Sequence, residues 1–160
     1  LDVKKASIKP RRKKGWESYQ QKQYNASTKE YDMVTKYKKV HYNEFFGTNS
    51  VSLTVEYKLI STETGEILKT NLISETLEDE VWYITYDANT KNLLSGNWSN
   101  KSINSDTDVI NTGYQDRRQI QNLLKANRKL VSTEELKNTA LKNVSTQAVN
   151  EINAYNPEED

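Results

Sequence analysis

The sequence predicts an α+β fold: an antiparallel sheet of long strands covered on one face by two C-terminal helices. Three observations predict it. Strand-like segments come first and helix-like segments last, the order of a helix layer laid on an antiparallel sheet. Val51, Leu53, Val55, Tyr57 and Leu59 alternate without a fault with Ser52, Thr54, Glu56 and Lys58, the pattern of a strand with one buried and one wet face. Ser132 with Glu135 three residues on forms a capping box. Behind it Leu136, Ala140, Val144, Ala148 and Ile152 recur every four residues, an apolar stripe that needs a sheet to cover.

The elements follow in chain order. Residues 1–30 read as a basic, loosely structured segment, because Lys9, Arg11, Arg12, Lys13 and Lys14 crowd around Pro10 and few apolar residues accompany them. Residues 31–157 read as a single α+β domain, part of a larger one, with residues 158–160 as an acidic tail. Tyr31 to Phe46 is rich in β-formers with imperfect alternation, which predicts a bulged or twisted strand. Gly47-Thr48-Asn49 reads as a turn. The strand through Leu59 ends at Ser61-Thr62-Glu63-Thr64-Gly65-Glu66, where Gly65 can close a hairpin onto a strand from Ile67 to about Thr76.

Glu78-Asp79-Glu80 reads as an interruption, after which Val81 to Tyr86 resumes the strand. Asp87 to Thr112 is dominated by small polar residues and reads as a long loop pinned by Trp98. Helices are predicted from about Asp116 to Asn127, with Ile120, Leu123 and Leu124 inward, and from Ser132 to the Asn156-Pro157 stop.

Composition narrows the function. There is no cysteine and a single histidine, which excludes disulfides, thiolate metal sites and thiol catalysis. No stretch is long and apolar enough for a transmembrane helix. The net charge of +1 conceals an uneven distribution. Residues 1–40 hold 12 Lys and Arg against 4 Asp and Glu, whereas the remainder is acidic. The chain opens at Leu1 without a signal peptide, so it is expected to be a piece of a longer or processed protein.

His41 lies among strand residues with no nucleophile indicated nearby, so a half-buried strand histidine is the plainer reading. Asn104 to Asp108 places oxygen ligands at alternate positions, but Val109 stands where an EF-hand loop needs Gly and Gln115 where it needs Glu. Asx-type turns account for the same residues. No glycine-rich phosphate loop and no nucleophile elbow occur. The candidate interaction residues are Lys9, Arg11, Arg12, Lys13 and Lys14, with Trp16, Trp82 and Trp98 as stacking platforms.

The run Tyr57–Leu68 (YKLISTETGEIL) and the closing helix Glu135–Pro157 resemble the envelope lipoproteins related to the curli secretion channel subunit (CsgG-like), which share a fold with the TolB N-terminal domain. The resemblance covers about residues 33–86 and 114–157. It implies a non-catalytic cell-envelope protein, in the periplasm or at the outer membrane, that acts through self-assembly or partner binding. It implies no enzyme activity and no catalytic residues, and the residues themselves lead us to expect no cofactor and no metal. The expected partner is a second copy or an envelope protein, with membrane association through a lipidated N-terminus upstream of Leu1, and nucleic acid is not the expected partner. The high Asn, Lys and Tyr content suits a Bacteroidota source. Two alternatives stand beside this reading: a polyanion- or nucleic-acid-binding module using the basic arm, and a glycan- or peptidoglycan-binding domain using the tryptophans.

Overall fold

A computed structural model describes residues 1–156. The strands are β1 (Asp2–Asn25), β2 (Glu30–Ile60), β3 (Ile67–Thr85), β4 (Leu93–Asn97) and β5 (Val109–Ile110). The helices are α1 (Tyr114–Lys125) and α2 (Thr133–Asn153). The five strands form a mostly antiparallel sheet in the order β3-β2-β1-β4-β5. Among the described residues no helix is long and apolar enough to cross a membrane. The acidic tail 158–160 lies outside the described residues.

The chain divides into two compact units. Unit 1 holds Leu1–Ser7, Gly47–Glu80 and the chain from Lys129 onward, and unit 2 holds Ile8–Phe46 and Val81–Arg128. The helical layer is divided between them, α2 falling to unit 1 and α1 to unit 2. The physical reason is strand length. At roughly 3.3 Å per residue, strands of 24 and 31 residues outreach what one helix of 12 or 21 residues can cover at 1.5 Å per residue.

In unit 1 the β2–β3 hairpin forms as its sequence predicts. Ser61 N–H donates to Glu66 O at 2.8 Å, Gly65 N–H donates to Ser61 O at 2.9 Å, and Gly65 takes a φ of 73° that a side chain would strain. Hydroxyl pairs Ser52–Thr76 and Thr54–Ser74, each at 3.0 Å, mark the wet side of the hairpin. The odd-numbered residues carry the core. Leu53 and Ile73 are buried with Ala140 and Val144 of α2, and Val55, Tyr57, Leu77 and Ala148 pack around them. Burying each large aliphatic side chain contributes roughly 1.5–3 kcal/mol. Ser132 Oγ accepts the Glu135 N–H at 3.1 Å, as the capping box requires.

Two expected breaks in unit 1 are strand instead. Gly47-Thr48-Asn49 lies inside β2 and Glu78-Asp79-Glu80 inside β3. Asn49 is almost wholly buried because its amide donates to Val131 O at 2.8 Å and accepts from Thr133 Oγ1 at 3.3 Å. Asp79 accepts the Val131 N–H at 2.7 Å. Two residues that read locally as turn formers thus tie down the segment leading into α2, and their polar atoms are satisfied by it.

The segment expected to be loose is ordered as β1, most of which lies in unit 2. The side-chain pairs Tyr24–Tyr31, Gln20–Thr35 and Glu17–Lys38 advance along one strand while retreating along the other, the mark of an antiparallel pair. The strand holds because backbone pairing needs no apolar side chains, and because alternation puts Trp16 into a core while Lys9 and Arg11, on the opposite face, stay exposed. On its other edge β1 meets β4 in antiparallel register, with Trp16 opposite Leu94. The expected loop 87–112 is thus partly strand, with β4 paired to β5. Two clusters result. Tyr42, Ile84, Leu93 and Ile120 form one, and Trp16, Leu94 and Trp98 form the other. Neighbouring Leu93 and Leu94 serve one cluster each, so β4 is buried on both faces.

Candidate functional site

The strand residues of unit 2 sort the eight candidate side chains into two groups. Arg12, Lys14, Trp16 and Trp98 build structure. Trp16 Nε1 donates to Val109 O at 2.8 Å and Trp98 Nε1 donates to Gly15 O at 3.0 Å. Lys14 Nζ donates to Trp98 O at 2.7 Å and lies 4.9 Å from the centre of the same indole. Trp16 and Trp98 are only 5% and 4% exposed, so neither ring is open to a ligand. Neither is a stacking platform: Trp16 is covered within β1, and Trp98 pins its segment as its place among small polar residues suggests.

His41 belongs to the same structural group. Its ring meets Trp98 edge-on at 4.9 Å, and Arg12 Nη2 lies 3.2 Å from its Nδ1. Burial, followed by the cations Arg12, Lys101 and Lys14, holds the imidazole below its ordinary pKa. The oxygen-rich run 104–108 is also committed. Asp108 Oδ2 sits 2.7 Å from Lys39 Nζ, and this contact leads the interactions that hold the carboxyl below the usual carboxylate range. Lys39 also donates to Asn100 O and Ile103 O, so it staples the segment from inside.

Lys9, Arg11 and Trp82 come together elsewhere. With Pro10, Glu44 and Phe46 they line a groove of about 570 Å³. Phe46 and Trp82 are 49% and 45% exposed, which is unusual for rings of that size on a folded strand face. Their neighbours explain the arrangement. Phe45 stacks on Tyr83 with ring centres 4.8 Å apart, so β2 and β3 run in register here and Phe46 stands across from Trp82 on the other face. Trp82 Nε1 donates to Glu44 Oε2 at 3.2 Å, which fixes the indole plane, and Lys13 Nζ stands 3.9 Å from Glu44 Oε1. Lys13 is thus a support of the groove.

Trp82 also borders a second groove of about 410 Å³, lined on the α1 side by Gln115, Arg118, Gln119, Asn122 and Leu123. Sequence reasoning missed Phe46, Glu44 and the α1 amides. The signal for Phe46 was present as the even-numbered partner of the buried Tyr42 and the exposed half of Phe45-Phe46. The amides carried no signal, since a polar helix face reads as solvated.

One further polar pair is buried in unit 2. The Tyr86 hydroxyl donates to Glu17, and Lys38 Nζ lies 2.9 Å from the other Glu17 oxygen. Burial opposes the Glu17 charge, but the Tyr86 and Lys38 contacts outweigh it and hold the carboxyl below its ordinary pKa. Burial and then the Glu17 carboxylate push the Tyr86 hydroxyl well above its ordinary value. The pair is closed to solvent on the Glu17 side and supports β1.

The arrangement offers stacking surfaces, cations and amides in an open groove, which suits binding. Among the described residues no group of three His, Asp or Glu side chains converges as a metal site would require. The chain matches no family model, no curated protein and no solved structure.

Proposed function

We propose that this chain is a non-catalytic, CsgG-like cell-envelope protein that works by binding a partner through the groove around Trp82. The observation that carries the reading is the pair of open rings, Phe46 and Trp82, held side by side in a rigid strand face and flanked by Lys9 and Arg11. Large exposed aromatics beside arginine are the composition of an interaction surface, because they gain most from being covered. The hairpin Tyr57–Leu68 and the α2 stripe, on which the family likeness rests, add support through their strand–turn–strand and helix conformations.

The test is co-sedimentation with a Bacteroidota envelope fraction. The unaltered chain is expected in the pellet. The double variant Phe46→Ser/Trp82→Ser is expected in the supernatant with its thermal unfolding midpoint unchanged. Equal pelleting of the two would remove the groove from the function, and pelleting of neither would remove the envelope.

A further inference from the structure

Three cations surround the open rings without being used. Among the described residues no carboxylate pairs with Lys9, Arg11 or Arg118. The one acid in the groove, Glu44, is occupied by Trp82 and Lys13. Next to Trp82, Gln115, Gln119 and Asn122 stand at positions i, i+4 and i+7 of α1, so their amides share one side of the helix. Each amide offers donors and an acceptor together, the match for a hydroxyl group, which is itself both.

We propose that this groove binds an anionic polysaccharide. The apolar faces of its sugar rings lie on Trp82 and Phe46, its hydroxyls meet the α1 amides, and its carboxylates pair with Lys9, Arg11 and Arg118. The proposal rests on the partner-binding reading above and names the partner's chemistry. Charge complementarity selects the occupant. A neutral glycan would use the rings and amides and leave three cations idle. A single-stranded nucleic acid would stack as well, but it carries at most one free hydroxyl per nucleotide within the chain for the α1 amides to meet. A carboxylate on each sugar, or on alternate sugars, needs only a few cations and accepts the two parallel N–H groups of an arginine. The two grooves, about 570 and 410 Å³, are open clefts, each wide enough to seat one or two units of a polymer lying across the surface.

The experiment is calorimetric titration of the unaltered chain with oligogalacturonate, dextran and oligo(dT), at about 150 mM salt so that non-specific phosphate contact stays weak. Oligogalacturonate is expected to bind at least roughly tenfold more tightly than either of the others, the scale of one well-made contact. Trp82→Ala and Arg11→Glu are each expected to weaken it by about tenfold or more, while Trp82→Phe keeps most of the affinity. Trp82 is the exposed tryptophan of the three, so saturating oligogalacturonate is also expected to protect the emission from acrylamide quenching. Unchanged unfolding midpoints keep these losses assigned to the groove. Tighter binding of oligo(dT), equal binding of dextran, or full affinity in Trp82→Ala would overturn the proposal. Groove-dependent co-sedimentation with the envelope fraction in the absence of oligogalacturonate binding would overturn it as well, while leaving the partner-binding reading in place.

Discussion

Unit 1 and unit 2 use the same strands in different ways. Unit 1 makes a two-layer structure in which odd-numbered residues of β2 and β3 bury against α2 and even-numbered residues form a hydroxyl ladder in water. Unit 2 has two apolar clusters, Tyr42 and Ile84 in one and Trp16 and Tyr37 with Trp98 in the other. The difference lies in what the chain supplies beside the sheet. Unit 1 has a long regular helix. Unit 2 has a short helix plus an irregular segment held by two tryptophans and two lysines. A regular helix reads out through periodicity, whereas a stapled segment reads out only through its partners.

The same contrast appears in the polar contacts. Each unit has a carboxylate that accepts from a tyrosine hydroxyl. In unit 1 it is Glu151, bonded by Tyr57 and Asn71, each at 2.7 Å. In unit 2 it is the buried Glu17, bonded by Tyr86. The half-buried version ties a helix to a hairpin, and the buried version sits within a strand face.

The largest expected effect is in unit 2. Trp98→Ala removes an indole that packs on Trp16 and Leu94 and anchors Gly15, and should cost about 3–5 kcal/mol in denaturant unfolding. Amide exchange should rise first in residues 93–112. A cost below about 1 kcal/mol, within the range of an ordinary surface change, would break the comparison.

Next comes unit 1, where Leu53→Ala should cost about 2–5 kcal/mol and raise exchange along 51–57 and 136–148. If the Trp98 and Leu53 variants raised exchange over the same residues to the same degree, the division into two cores would lose its energetic meaning. A smaller effect sharpens the helix side of the contrast. Ser132→Ala removes the cap of α2 and should cost about 1 kcal/mol, whereas α1 begins at Gly113 with no side-chain cap to lose.

The smallest effect concerns acid. The folded pKa of Glu17 lies below its unfolded value, so its contribution is present above the ordinary carboxylate range and is lost as pH falls through the folded value. Lys38 is half exposed, and water screens its share. Unfolding midpoints measured from pH 7 down to pH 3 should fall less steeply in Glu17→Gln than in the unaltered chain. An identical slope would show that Glu17 is no better held than an exposed acid.

Much of unit 1 was legible in the sequence and much of the candidate site was not. The Gly65 hairpin and the Ser132 cap were legible because each rests on contacts within a few residues. Trp82 reads like Trp16 and Trp98 because all three are large aromatics among polar neighbours, and sequence has no measure of which ring will be covered. Asn49 and Asp79 misled because their local preference is for turns, and the Val131 backbone that overrides it lies over 50 residues away. The basic segment misled because charge suggests solvent, while a strand needs only one face and a backbone partner.

What the sequence determined by itself was therefore local: the strand of residues 51–59, its closing turn, the amphipathic α2, and the absence of thiol chemistry. Each follows from period, cap or composition, and none depends on a distant partner. What only the tertiary structure decided was allocation. β4 meeting β1 at Gly15–Glu17 covered Trp16 and brought Trp98 down on it. The pairing of β2 with β3 left Phe46 and Trp82 open beside Lys9 and Arg11. Exposure is a property of what lies opposite a side chain, and for these residues what lies opposite is set by chain segments tens of residues away.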